Sequence, residues 1–143
     1  TTASFQLSGV SGSGAVGQSV FYYANKVYVG TQKATGPEFH IIDVTDPANT
    51  SSLGSFEING DINGIYVSGN LAYIAISPDD ELRILDVSNP ASIVQRGNYD
   101  APGDSEDGKA LWLVGSKLYL ARLLGGIIVY IYGRPRTQEV GRI

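Results

Sequence analysis

Gly64-Ile65-Tyr66-Val67-Ser68-Gly69-Asn70-Leu71-Ala72-Tyr73-Ile74-Ala75 reads as two β-strands folded back on each other. Aliphatic, β-branched and aromatic residues flank Ser68-Gly69-Asn70, where glycine and asparagine accept the left-handed backbone of a tight hairpin. Working outward, Asp61–Val67 is a first strand and Leu71–Ser77 a second. The turn Pro78-Asp79-Asp80 leads to a third, Glu81–Val87, and the breaker Ser88-Asn89-Pro90 leads to a fourth, Ile93–Tyr99. The inner strands are almost wholly apolar, as strands covered on both faces must be. The fourth carries Gln95, Arg96 and Asn98 and alternates like an exposed edge.

The same pattern stands on either side. Ala24-Asn25-Lys26-Val27-Tyr28-Val29-Gly30 and Gly115-Ser116-Lys117-Leu118-Tyr119-Leu120-Ala121 repeat the second strand, with the tyrosines Tyr28, Tyr73 and Tyr119 lying 45 and 46 positions apart. Ile41-Ile42-Asp43-Val44-Thr45-Asp46-Pro47 repeats Ile84-Leu85-Asp86-Val87-Ser88-Asn89-Pro90, and Ile128-Val129-Tyr130-Ile131-Tyr132-Gly133-Arg134 repeats it more loosely, with Tyr130 aligned to the aspartates. Gly54, Gly97 and Gly141 follow those centres at a constant distance. Three anchors kept in step over three copies define a repeat protein. Four antiparallel strands in about 45 residues is the content of one β-propeller blade.

The fold expected is therefore all-β: a β-propeller segment of three four-stranded antiparallel blades spanning 18–58, 61–100 and 107–143. Residues 1–9 would be the last strand of a preceding blade, since Ser4-Phe5-Gln6-Leu7 matches Ser55-Phe56-Glu57-Ile58. Propellers close with about four to eight blades. Such a segment is then either a fragment of a longer propeller or a protomer completing a ring with its own copies. Trp112, between Leu111 and Leu113, is expected in the core.

The middle copy, with Leu82-Arg83-Ile84-Leu85-Asp86-Val87-Ser88-Asn89-Pro90-Ala91-Ser92 after its hairpin, resembles the LVIVD-repeat family. The first copy resembles it well and the third only loosely. The resemblance implies β-propeller repeats and an extracellular or cell-surface setting, as in mostly secreted and surface proteins of bacteria and archaea. It implies no particular reaction.

Composition removes several classes of function. The 143 residues include no cysteine, which excludes disulfides, thiol catalysis and thiolate metal sites, and one histidine, which excludes multi-histidine centres. Apolar runs fall far short of the roughly 20 residues of a membrane helix, so no membrane insertion by helices is expected. The net charge of −4 offers no general attraction to nucleic acid. Arg134, Arg136 and Arg142 are too sparse to change that. The absence of methionine leads us to expect a processed chain or a fragment.

Candidate chemistry is sparse. His40 opens a third strand with no nucleophile elbow nearby and is expected as a partly exposed strand-end histidine. Gly12-Ser13-Gly14-Ala15-Val16-Gly17 fits a dinucleotide pattern, but a strand-like Val20-Phe21-Tyr22-Tyr23 follows where a helix is required, so it is expected as a loop. Asp43 and Asp86 sit at turns, where a carboxylate accepts backbone N–H bonds. Propeller geometry gathers the loops between blades and those between second and third strands at one channel mouth. That places Asp61, Asn63, Asp104, Asp107, Lys109 and Arg122 as candidate ligand-binding residues. Asp104, Glu106 and Asp107 are the weak candidates for a metal, Ca²⁺ being the cation such a carboxylate loop would take. No catalytic residue is assigned. The leading expectation is a non-catalytic interaction or structural module that self-associates or continues into additional blades, with a protein or carbohydrate ligand. The alternatives are a metal-dependent hydrolase or lactonase-like enzyme with an acidic channel mouth, and a subunit of a surface fibre.

Overall fold

A computed structural model describes residues 4–7, 16–100, 106–123, 126–131 and 138–142. Among these residues all of the regular structure is β. The first sheet contains β1 (Gly17–Tyr23), β2 (Lys26–Thr31), β3 (Phe39–Asp43) and β4 (Ser51–Phe56). The middle sheet contains β5 (Asp61–Ser68), β6 (Leu71–Ser77), β7 (Leu82–Asp86) and β8 (Val94–Tyr99). The third contains β9 (Gly108–Val114), β10 (Lys117–Arg122), β11 (Ile127–Ile131) and β12 (Gln138–Arg142). Strands pair in chain order and antiparallel throughout. Residues 4–7 belong to none of the sheets.

The three sheets stack face to face in an open series, closest along their first and second strands. The middle sheet is covered on both sides, and alternation along β6 divides its side chains between two cores. Ala72, Ile74 and Ile76 face the first sheet, joining Tyr28, Phe39, Ile41, Ile62, Ile65 and Val67. Tyr73 and Ala75 face the third, joining Leu82, Ile84, Leu113, Leu118 and Leu120. Each fully buried aliphatic side chain contributes on the order of 1.5–3 kcal/mol relative to exposure, so these two interfaces are the main source of stability.

An aromatic row threads the stack. Phe21, Tyr66 and Trp112 occupy the same register on β1, β5 and β9. The Phe21 and Tyr66 rings lie 4.7 Å apart, and Tyr66 meets Trp112 edge-on at 5.0 Å. Trp112 is not in the core, however. It lies on the outward face of the third sheet with 60% of its surface exposed, because none of the described residues covers that face. Leu111 and Leu113, its apolar neighbours in sequence, point the other way, towards the middle sheet.

Two further expectations are corrected. His40 is 2% exposed, since its ring folds back to the Pro37 carbonyl (Nε2 to O, 2.8 Å). In the third sheet the register places Ile131 opposite Lys117, where Asp43 stands opposite Lys26 and Asp86 opposite Leu71. Ile131, and not Tyr130, therefore occupies the aspartate position.

Bulges recur with the repeat. A register shift lies beside each of Gly54, Gly97 and Gly141, which face Ile41, Ile84 and Val129. A second one opens each first strand, leaving Gln18, Asn63 and Lys109 as the extra residue.

Candidate functional site

The second set of bulges builds the candidate site. A bulge re-aims the side chain it carries, and here it brings Gln18, Asn63 and Lys109 to one rim, where the first strands of successive sheets converge. The Gln18 amide donates to Asn63 Oδ1. Asn63 Nδ2 donates to the Gly108 carbonyl at 2.7 Å and to Ser77 Oγ at 3.0 Å. Ser19 Oγ donates to the Ile62 carbonyl at 2.9 Å. Hydrogen bonds thus run from the first sheet through the middle one to the third.

Acids at this end of the stack are engaged. Asp61 Oδ1 accepts the Lys33 backbone N–H at 2.7 Å, tying the loop of the first sheet to the start of the middle one. Asp107 pairs with Lys109 at 2.8 Å, both partly exposed. Arg122 is not a rim cation: its side chain is 1% exposed and its guanidinium meets Glu81 Oε1 at 2.9 Å, with Glu106 at 3.9 Å. Asp61, Asn63, Asp107, Lys109, Glu106 and Arg122 are therefore all at this end, but engaged with different partners. Asp104 lies outside the described residues, as do residues 12–15 of the glycine-rich motif. Among the described residues no group of three or more His, Asp or Glu side chains is gathered as metal ligands would be.

Two residues escaped the sequence reading. Glu38 and Glu81 are both fully buried. They are equivalent, since the Thr31 N–H donates to the Glu38 carbonyl and the Ile76 N–H to that of Glu81. Glu38 caps the link to the middle sheet, accepting the N–H groups of Ile58 (2.9 Å) and Asn59 (3.0 Å), while Glu81 binds Arg122. The signal was present: a glutamate stands five residues before the aspartate in each of the first two copies. Glu57, beside Glu38, has its carboxyl raised above the ordinary value by desolvation and then by its bond to Glu38.

At the opposite end of the strands the aspartates hold turns. Asp43 Oδ1 accepts the Thr45 N–H at 2.8 Å, and Asp86 Oδ1 accepts that of Ser88 at 3.0 Å. Asp86 also takes two bonds from Arg96, and the Ser88 and Arg96 contacts lower its pKa to about 2. Asp46 and Asn89 accept from Ala48 and Ala91 in the turns that follow.

Comparison with known proteins agrees with this architecture. Residues 59–101, the middle sheet, match the family described as LVIVD repeat, so the chain carries that repeat. The crystal structure of the computationally designed Ika8 protein superposes with a TM-score of 0.68 at 13% identity, over 89% of this chain and 36% of that one. The computationally designed Ika4 protein superposes at 0.62 with 14% identity, over 82% of this chain and 66% of that one. This chain thus spans about a third of the length of the first and two thirds of the second. The likeness is one of fold. No curated protein sequence matches the chain significantly.

Proposed function

We propose that the three sheets are LVIVD-type propeller blades and that the chain is a non-catalytic interaction module, extracellular or at the cell surface, binding its ligand at the rim of first strands. The observation that carries this reading is the shared bulge position of Gln18, Asn63 and Lys109 on successive first strands, where Gln18 and Asn63 are held by hydrogen bonds between sheets and Lys109 by Asp107. A preorganised polar edge loses little freedom on binding. Its amide, ammonium and carboxylate groups suit a hydroxyl-rich or peptide ligand, with carbohydrate or protein as the class. The extracellular setting rests on the resemblance to LVIVD-repeat proteins.

The test is a glycan and peptide array probed with the purified chain, followed by titration of the hits. A ligand of this rim loses about tenfold or more in affinity with Lys109→Ala, as expected of a polar contact contributing more than about 1.4 kcal/mol. Stoichiometric bound metal together with hydrolysis of an ester or lactone would replace this reading with the metal-dependent hydrolase.

A further inference from the structure

The two ends of the stack carry the same surfaces that its interior buries. On the leading face, Tyr28 and Tyr73 are 3% and 1% exposed beneath the next sheet, whereas their equivalent Tyr119 is 37% exposed and Trp112 60%. On the trailing face, Ile65, Val67, Ala72 and Ile74 of the middle sheet are buried against the first sheet. Their equivalents in the first sheet include Val20 and Tyr22, which are 70% and 61% exposed.

The leading face of the third sheet also carries a shallow apolar depression. Ala110, Leu111, Trp112, Tyr119, Ala121 and Ile127 line this open depression of about 200 Å³. Its floor residue Ala121 corresponds to Gly30 in the first sheet, which lies directly under Ile62 of β5. In the middle sheet the equivalent residue is Ala75, and Gly64, its partner on β5, lies under Ala110 of β9. In both internal interfaces, then, the bulged start of the next sheet's first strand packs at this place. The residues at that point are Ile62-Asn63-Gly64 and Gly108-Lys109-Ala110, and their counterpart in the first sheet is Gly17-Gln18-Ser19.

We propose that the outward face of the third sheet seats β1 of a second copy of this chain, head to tail. Trp112 then meets the second copy's Phe21 as Tyr66 meets Trp112, and the second copy's Val20 and Tyr22 become core. The contact continues the two interfaces already present and is heterologous, so it propagates to a ring or a filament. It rests on the reading of the sheets as successive blades but is independent of the rim ligand.

Trp112 is the only tryptophan, so its fluorescence reports on this face alone. Light scattering and tryptophan emission over a dilution series of the 143-residue chain test the proposal. The expected result is concentration-dependent association, with emission moving to longer wavelength as the assembly dissociates. Val20→Glu, at the other end of the stack, should give the long-wavelength emission and at least a tenfold weaker association, with an unchanged far-ultraviolet circular dichroism spectrum. Trp112→Glu should dissociate equally. A chain monomeric at every concentration overturns the proposal while leaving the rim reading untouched. Association lost in Trp112→Glu and retained in a folded Val20→Glu also overturns it, because that pattern means face-to-face pairing.

Discussion

At the scale of single residues, buried charge is placed where sheets meet. Arg122 and Glu81 cross from the third sheet to the middle one with both side chains almost wholly out of solvent. Removing one partner of such a pair costs about 3–5 kcal/mol, because the other remains buried and charged. Arg122→Met should therefore lower the urea midpoint severely, and adding Glu81→Leu should recover a large part of the loss in the same measurement. Burial also lowers the pKa of His40, against the opposing pull of the Pro37 carbonyl and the Glu38 charge. A folded-state value below the unfolded one means that stability is full above about pH 6.5 and is lost as pH falls below it. The urea midpoint should drop between pH 7.5 and 5, and His40→Gln should flatten that drop. Asp86 acts in a separate window: its contribution is present above the ordinary carboxylate range and disappears as pH falls towards 2. Carboxyl NMR titration should show its pKa rising in Arg96→Gln yet staying below the ordinary value, because the Ser88 bonds remain.

At the scale of the strand, the fourth strands are bent by the glycine bulges, and those of the first and middle sheets differ in what surrounds them. A Cβ on Gly54 would lie 1.8 Å from the Pro90 carbonyl oxygen, a backbone atom of the next sheet, while one on Gly97 meets nothing within 4 Å among the described residues. Gly54→Ala should cost more than about 2 kcal/mol, as overpacking against rigid backbone does, and Gly97→Ala should stay within about 0.5 kcal/mol by denaturant unfolding. The hairpins and breakers of the middle sheet were legible to within a residue, because turn chemistry at Gly69 and Pro90 and apolar runs such as Leu71–Ser77 are local signals. The bulges were not. A bulge is a count of residues on one strand against its partner, and Asn63 looks like any polar residue until β6 is laid beside it. The aspartate position of the third sheet was misassigned for the same reason, since Ile131 rather than Tyr130 falls opposite Lys117.

At the scale of the molecule, what the sequence could not reveal was coverage. Trp112 and Tyr66 sit in similar apolar strands, and only the presence of a sheet over Tyr66 distinguishes them. The buried glutamates were missed because their partners, Arg122 above all, come from elsewhere in the stack. Coverage also sets the order of opening. The middle sheet, packed on both faces, should hold the most slowly exchanging amides, in β6, while β4 and β8 exchange sooner. Mass spectrometry of deuterium uptake on pepsin fragments checks this order. The matched leading and trailing faces have a consequence for how such a chain changes in length. A gene duplication that inserts one whole period meets on each side the surface it was copied from, whereas one cut at half a period presents mismatched surfaces at both junctions. Growth and loss in this architecture therefore proceed by complete units, and a relative differing in length should differ by a multiple of about 45 residues.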